Sequence, residues 1–243
     1  MKLYDGILKE VKEILAEKEP VRFPYDTSHI WKDRGQSELI MLRDSAYELG
    51  GSGRSSVNMT LVTTSGEVPE NEILLYGPDL SSISGDLPFA RIVILETDDL
   101  GEEADTEKAF ATIRNIEFVR YHVYPIGYMS RVSSQSSQEQ VRVSKRVVDA
   151  GISFAYVGGT YIKKYLELPV VKKARIIFVT DEELVAKLMK YAGKSDEITK
   201  TLTHILEGLP ADCGHCSMKE VCDEVEGMKE LHLGKKPVKK EKK

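Results

Sequence analysis

Two short runs constrain the fold more than anything else in the chain. Residues 89–96 read Phe89-Ala90-Arg91-Ile92-Val93-Ile94-Leu95-Glu96, and residues 173–180 centre on Ile176-Ile177-Phe178-Val179. A strand with one wet face alternates apolar and polar side chains, whereas a run apolar at every central position needs cover on both faces. The chain is therefore expected to place these two strands centrally, with other layers packed over them. Further strands are expected at 58–64, 73–76 and 141–144, bounded by turn residues such as Tyr76-Gly77-Pro78-Asp79.

Helical periodicity supplies the covering layers. Ile7, Leu8, Val11, Ile14 and Leu15 recur at helical spacing within 3–18. A second helix over about 106–122 carries Phe110, Ile113, Ile116 and Val119 on one face, and Ser153 can cap a third running to about Leu166. Thr180-Asp181-Glu182-Glu183 reads as a capping box for a helix that Gly193 ends, and Ser195 starts a last helix. Residues 22–38, around Trp31, are irregular and polar and read as a connector or docking arm. Strands and helices alternate imperfectly, so the expected class is mixed α/β (an α+β sandwich) with an N-terminal helix and a small C-terminal cysteine segment. The divisions are 1–40, 41–193, 194–234 and a basic tail at 235–243, which is expected to be disordered.

All three cysteines fall within ten positions: Cys213-Gly214-His215-Cys216, then Cys222. A C-x2-C pair with a third thiolate close behind can converge on one metal centre, and soft thiolates suit an iron–sulfur cluster or zinc. Zinc normally takes a fourth protein ligand, for which His215 and His232 are available. An iron–sulfur cluster is the favoured of the two. Three clustered thiols suit a reducing compartment better than a disulfide scaffold, so the cytoplasm is the expectation. A net charge of −5 gives no reason to invoke nucleic acid. No apolar run approaches the roughly 20 residues of a membrane helix.

Other chemistry is sparser. Gly50-Gly51-Ser52-Gly53-Arg54 could cradle a phosphate, but it lacks a Walker lysine and reads as a plain loop. Arg114, Arg120, Arg131, Arg142, Lys145 and Arg146 follow one another closely. Arginine forks suit a pyrophosphate-bearing ligand such as coenzyme A. On residue types alone, a solvated face paired with Glu103, Glu107 and Glu117 is the favoured reading of that group. His122 sits in an aromatic run and reads as structural.

An ordered set of segments resembles the acetyl-CoA synthase (beta) subunit of the carbon monoxide dehydrogenase/acetyl-CoA synthase complex. They are Tyr47-Glu48-Leu49-Gly50-Gly51, Tyr76-Gly77-Pro78-Asp79-Leu80, Pro88-Phe89-Ala90-Arg91-Ile92-Val93-Ile94, Val141-Arg142-Val143-Ser144-Lys145 and Ala174-Arg175-Ile176-Ile177-Phe178-Val179-Thr180-Asp181. Together they span roughly 45–192. The resemblance implies the family's α/β middle domain, which takes part in binding coenzyme A, with Arg142, Lys145 and Arg131 as the residues for that ligand. It also implies association with carbon monoxide dehydrogenase/acetyl-CoA synthase components or corrinoid protein.

The departures are equally specific. The family's nickel site uses a C-x2-C-Q-S-F-A-P-type segment, further cysteines and a later C-x-C pair, whereas here Cys216 is followed by Ser217-Met218-Lys219-Glu220-Val221-Cys222. Gln140 stands where the family tends to carry a tryptophan. The expectation is a truncated, synthase-like subunit that holds an iron–sulfur centre and coenzyme A without a nickel site. The alternative is a non-enzymatic iron–sulfur or zinc interaction module. An independent coenzyme A transferase ranks last, because no general base or nucleophile stands out.

Overall fold

The computed structural model describes residues 3–51, 53–98, 106–132, 137–206 and 218–224. Its centre is a mixed five-stranded sheet. The strands are β1 (Val21–Pro24), β3 (Ser56–Thr63), β4 (Glu72–Tyr76), β5 (Phe89–Thr97) and β8 (Val171–Val179), in the order β1-β4-β8-β5-β3. The two runs singled out from their apolar centres, β5 and β8, occupy interior positions and pair antiparallel, Ile92 opposite Ile177. Every residue of β5 is buried, as its composition requires. β3 pairs parallel with β5, and β4 parallel with β8.

A second, three-stranded sheet lies beside β3. β2 (Ala46–Leu49), β7 (Glu139–Ser144) and β6 (Tyr128–Val132) run antiparallel in the order β2-β7-β6. Along β7 buried and half-buried residues alternate, Glu139, Val141 and Val143 facing in and Gln140, Arg142 and Ser144 facing out. That is the signature of a sheet with one wet face. Where β3 meets it, the Asn58 amide donates to the Ser137 carbonyl at 2.7 Å.

Helices close both layers. α1 (Asp5–Leu15) buries Ile7, Leu8, Val11 and Leu15, and α2 (Thr106–Val119) buries Phe110, Ile113, Ile116 and Val119. α3 (Lys145–Asp149) is short. α4 (Phe154–Tyr165) is capped by the Ser153 hydroxyl, which accepts from the Tyr156 amide. It lies tightly on the sheet, since a Cβ at Gly158 would come within 2.5 Å of Ile73. Phe154 stacks on Phe178 with centroids 4.6 Å apart, and Phe89 completes the group.

Two local expectations are corrected. Residues 21–24 are not irregular: β1 pairs antiparallel with the outer edge of β4, a position that tolerates Pro24 because its missing N–H faces away from a partner strand. The expected pair of C-terminal helices is one helix, α5 (Glu182–Leu206), which runs through Gly193 and Ser195. Leu188, Ala192, Ile198 and Leu202 are buried on both sides of Gly193, and that continuous packing outweighs the roughly 1 kcal/mol a helical glycine costs. Its cap is Asp181, whose carboxylate accepts from the Leu184 amide at 3.1 Å, while the Thr180 hydroxyl donates instead to the Pro78 carbonyl. α6 (Lys219–Glu224) packs against α5. Among the described residues, no helix is long and apolar enough to cross a membrane.

Candidate functional site

The three-stranded sheet ends in a cleft of about 640 Å³. One wall is the glycine run after β2, contributing Gly50, Gly51, Gly53 and Arg54; the other is Arg131 and Val132 of β6 with Gln138 and Gln140 of β7. Ser55, Ser56 and Met189 of α5 complete it. The glycines are needed for close approach. Gly50 has φ +66°, and a Cβ there would meet Ser56 at 2.5 Å and the Glu139 carbonyl at 2.6 Å. A Cβ at Gly51 would meet the Gln140 amide at 2.4 Å. The Gly50 amide donates to the Leu87 carbonyl and the Arg54 amide to the Gly51 carbonyl, so the loop is tied at both ends.

Two guanidinium groups reach this cleft from unrelated parts of the chain. Arg131 is exposed, lies opposite Gln140 in the β6–β7 register, and has no ion-pair partner among the described residues. Arg54 is half-exposed and only loosely paired with Glu182 at 3.9 Å. Backbone amides at a glycine turn with nearby arginines form a concavity suited to phosphate or carboxylate oxygens. Gln138 and Gln140 add amides that both donate and accept.

Arg142 and Lys145 are placed differently. Arg142 lies directly opposite Glu48 in the β2–β7 register, and its Nε and Nη2 donate to Glu48 Oε1 at 2.8 and 2.7 Å. Its Nη1 donates to the carbonyls of Ile40 and Met41. The fork thus straps residues 40–41 to the sheet and holds Glu48, whose other oxygen sits 3.0 Å from where a Gly51 Cβ would be. Arg142 therefore supports the glycine loop from behind. Lys145 places its ammonium 5.3 Å from the Tyr47 ring centre, a cation–π contact outside the cleft.

Beneath the cleft floor is a hub absent from the residue-type reading. Glu139 is fully buried; its Oε2 accepts from Arg91 Nε at 2.8 Å and from the Asn58 amide at 2.6 Å, and its Oε1 accepts from the Ser130 hydroxyl. Its backbone N–H donates to Ser56 Oγ. Burial by itself pushes the Arg91 pKa down, but Glu139 beside it more than offsets this and the net shift is upward. Arg120, expected on a solvated face, is instead largely buried, paired with Glu117 at 3.1 Å and donating to Asn58. Burial raises the Glu117 pKa, with Arg120 opposing it. Only Arg91, a charged residue set between Ala90 and the apolar run 92–95, could have signalled this cluster from sequence.

His122 rests against Phe118, ring centres 4.2 Å apart, in a structural contact. Of the three cysteines, Cys222 lies on α6, half-buried against the core beside buried Val221. Cys213 and Cys216 lie outside the described residues.

Comparison with known proteins adds the family. Residues 33–185, well over half the chain, match the family model for the CO dehydrogenase/acetyl-CoA synthase complex beta subunit. The acetyl-CoA decarbonylase/synthase complex subunit beta of Archaeoglobus fulgidus is 27% identical over 185 residues. That alignment covers 74% of this chain and 32% of the relative, so the chain spans about a third of that protein's length. The glycine loop, the β6 and β7 wall of the cleft and four of the five strands of the central sheet lie within the matched stretch, and the chain belongs to the family of CO dehydrogenase/acetyl-CoA synthase complex beta subunits.

Proposed function

We propose that this chain acts in a carbon monoxide dehydrogenase/acetyl-CoA synthase assembly as a binding subunit for coenzyme A and an iron–sulfur centre. The observation that carries the coenzyme A half is the cleft, where a tight glycine loop, Arg54 and Arg131 converge on one concave surface. Coenzyme A would bring a pyrophosphate and a thiol. Arg131 and Arg54 would take the phosphoryl oxygens, the loop amides would add neutral donors, and Gln138 and Gln140 would orient the remaining polar groups. Arg142 serves the same site indirectly, by fixing Glu48 behind Gly51, whereas Lys145 sits over Tyr47 toward the other end of β7.

The metal half rests on donor chemistry: three closely spaced thiolates are the soft donors an iron–sulfur cluster takes, with its fourth position left to another ligand. Cys213, Cys216 and Cys222 would be its ligands, and the cluster would supply electron storage or an anchor for a partner. Metal binding would also order a stretch with few large apolar residues. In this reading the subunit contributes binding and assembly beside other components of the complex or a corrinoid protein in the cytoplasm.

The test uses the full chain purified anaerobically. Calorimetry should detect coenzyme A binding, and metal analysis with electron paramagnetic resonance should find one iron–sulfur centre that Cys216→Ser abolishes. A stoichiometric metal without coenzyme A binding would instead support a non-enzymatic iron–sulfur or zinc interaction module. An absence of both would overturn the proposal.

A further inference from the structure

Arg91 is the largest fully buried side chain among the described residues, and only part of it is satisfied by protein. Its Nε donates to Glu139, while Nη1 and Nη2 have no partner among the described residues. Nearby, the hydroxyls of Tyr128, Tyr161 and Tyr165 and Oγ1 of Thr60 are likewise buried without a partner at hydrogen-bonding geometry. These groups form one neighbourhood. The Arg91 guanidinium lies 4.2 Å from the Tyr161 ring centre. Tyr128, Tyr161 and Tyr165 all feel its charge, and Thr60 adjoins Tyr165. The register puts Asn58, Thr60 and Arg91 on one face of the sheet, the face that also carries Phe178 beneath α4.

Leaving so many polar groups unmatched costs about 1–3 kcal/mol each, more for a charged donor. Native interiors supply partners for such groups. Charge decides which partner. Arg91 is already matched by Glu139 and Arg120 by Glu117, and both pairs face this same interior. A bound anion would leave uncompensated negative charge out of water, and a cation would meet two guanidinium groups. A neutral group that accepts from Nη1 and Nη2 and also exchanges hydrogen bonds with hydroxyls fits all of them. Water does this.

We propose that the interior around Arg91 is a built hydration site holding about two fixed water molecules. The number follows from Arg91 Nη1 and Nη2 and the four hydroxyls, six of the unpartnered groups, at about three hydrogen bonds per buried water. The waters bond Arg91 Nη1 and Nη2 and bridge them to Tyr161, Tyr165, Tyr128 and Thr60. They keep the guanidinium aimed at Glu139, and Glu139 holds Ser56, Asn58 and Ser130 behind the cleft. Arg91 is in this sense a positioning residue for the junction of the two sheets.

A crystal structure of the full chain at about 1.5 Å, grown with sodium bromide, is the direct test. Solvent peaks within hydrogen-bonding distance of Nη1 and Nη2, without bromide anomalous signal, are expected. A bromide peak there would replace water with an anion and overturn the proposal. So would side chains rearranged to pair both nitrogens with protein atoms. In solution, oxygen-17 relaxation dispersion should count long-lived waters in the wild type and about two fewer in Arg91→Met. An equal count in a folded variant would also overturn the proposal; if Arg91→Met does not fold, the crystal result decides alone.

Discussion

Each sheet carries an arginine held by a glutamate from another strand, with opposite consequences. Arg91, in the five-stranded sheet, is 1% exposed, and its partner Glu139, reaching over from β7 of the three-stranded sheet, has no exposed side-chain surface. In the three-stranded sheet Arg142 keeps 21% of its side-chain surface, and the neighbouring outward position, Gln140, opens on the cleft. The buried pair can only use its charges to hold the two sheets to each other. The sheet with one wet face can offer polar side chains to a ligand, and the glycine loop gathers there.

The comparison breaks first at Glu139. Glu139→Ala strands a buried guanidinium, and losing one member of a buried pair costs about 3–5 kcal/mol. Urea unfolding should register that loss; a change below about 1 kcal/mol would mean the inner pair is no more consequential than a surface one.

The next effect is alkaline. Burial pushes the Tyr165 pKa from 10.0 up to about 12, and Tyr4, Tyr128 and Tyr161 are raised for the same principal reason. A raised folded-state pKa means the folded chain keeps a proton that the unfolded chain releases. The contribution is thus fully present below pH 10 and is lost as pH climbs toward 12, at about 1.4 kcal/mol per pH unit for each such tyrosine. Tyr161→Phe/Tyr165→Phe should flatten the fall in stability above pH 10. An unchanged slope would show that these hydroxyls titrate as solvent-exposed tyrosines do.

Arg142→Ala should cost about 1–2 kcal/mol in urea, because it leaves Glu48 and two carbonyls with lost donors at a partly solvated site. Protease cleavage near residues 40–41 should rise with it. The smallest stability change is expected at Arg131, within about 0.5 kcal/mol as for an ordinary surface substitution. Yet Arg131→Ala should weaken coenzyme A binding about tenfold or more in calorimetry, the scale of one charge-assisted contact. Arg142 variants that bind coenzyme A as tightly as the wild type would detach the strap from the site.

Much of this molecule was legible from its residues. β5 and β8 could be placed inside because their centres admit no wet face, and Ser153 announced the start of α4. The amphipathic faces of α1 and α2 follow from 3.6-residue spacing alone. The glycine run was visible as a loop, but its role as a cleft wall was not, since Arg131 and Gln140 come from distant strands. β1 was missed because an edge strand pairs through its backbone and needs no side-chain pattern. α5 was divided at Gly193 because a local breaker is visible in sequence and the packing that overrides it is not.

The sequence by itself determined which segments must be buried, where glycine allows the backbone to approach closely, and that three thiolates lie close together along the chain. Period and composition are local properties, so they survive without coordinates. Only the tertiary structure decided which charges meet: Arg91 with Glu139, Arg142 with Glu48, and Arg54 with Arg131 across one cleft. Those pairings join residues far apart in the chain, and strand order and register bring them together.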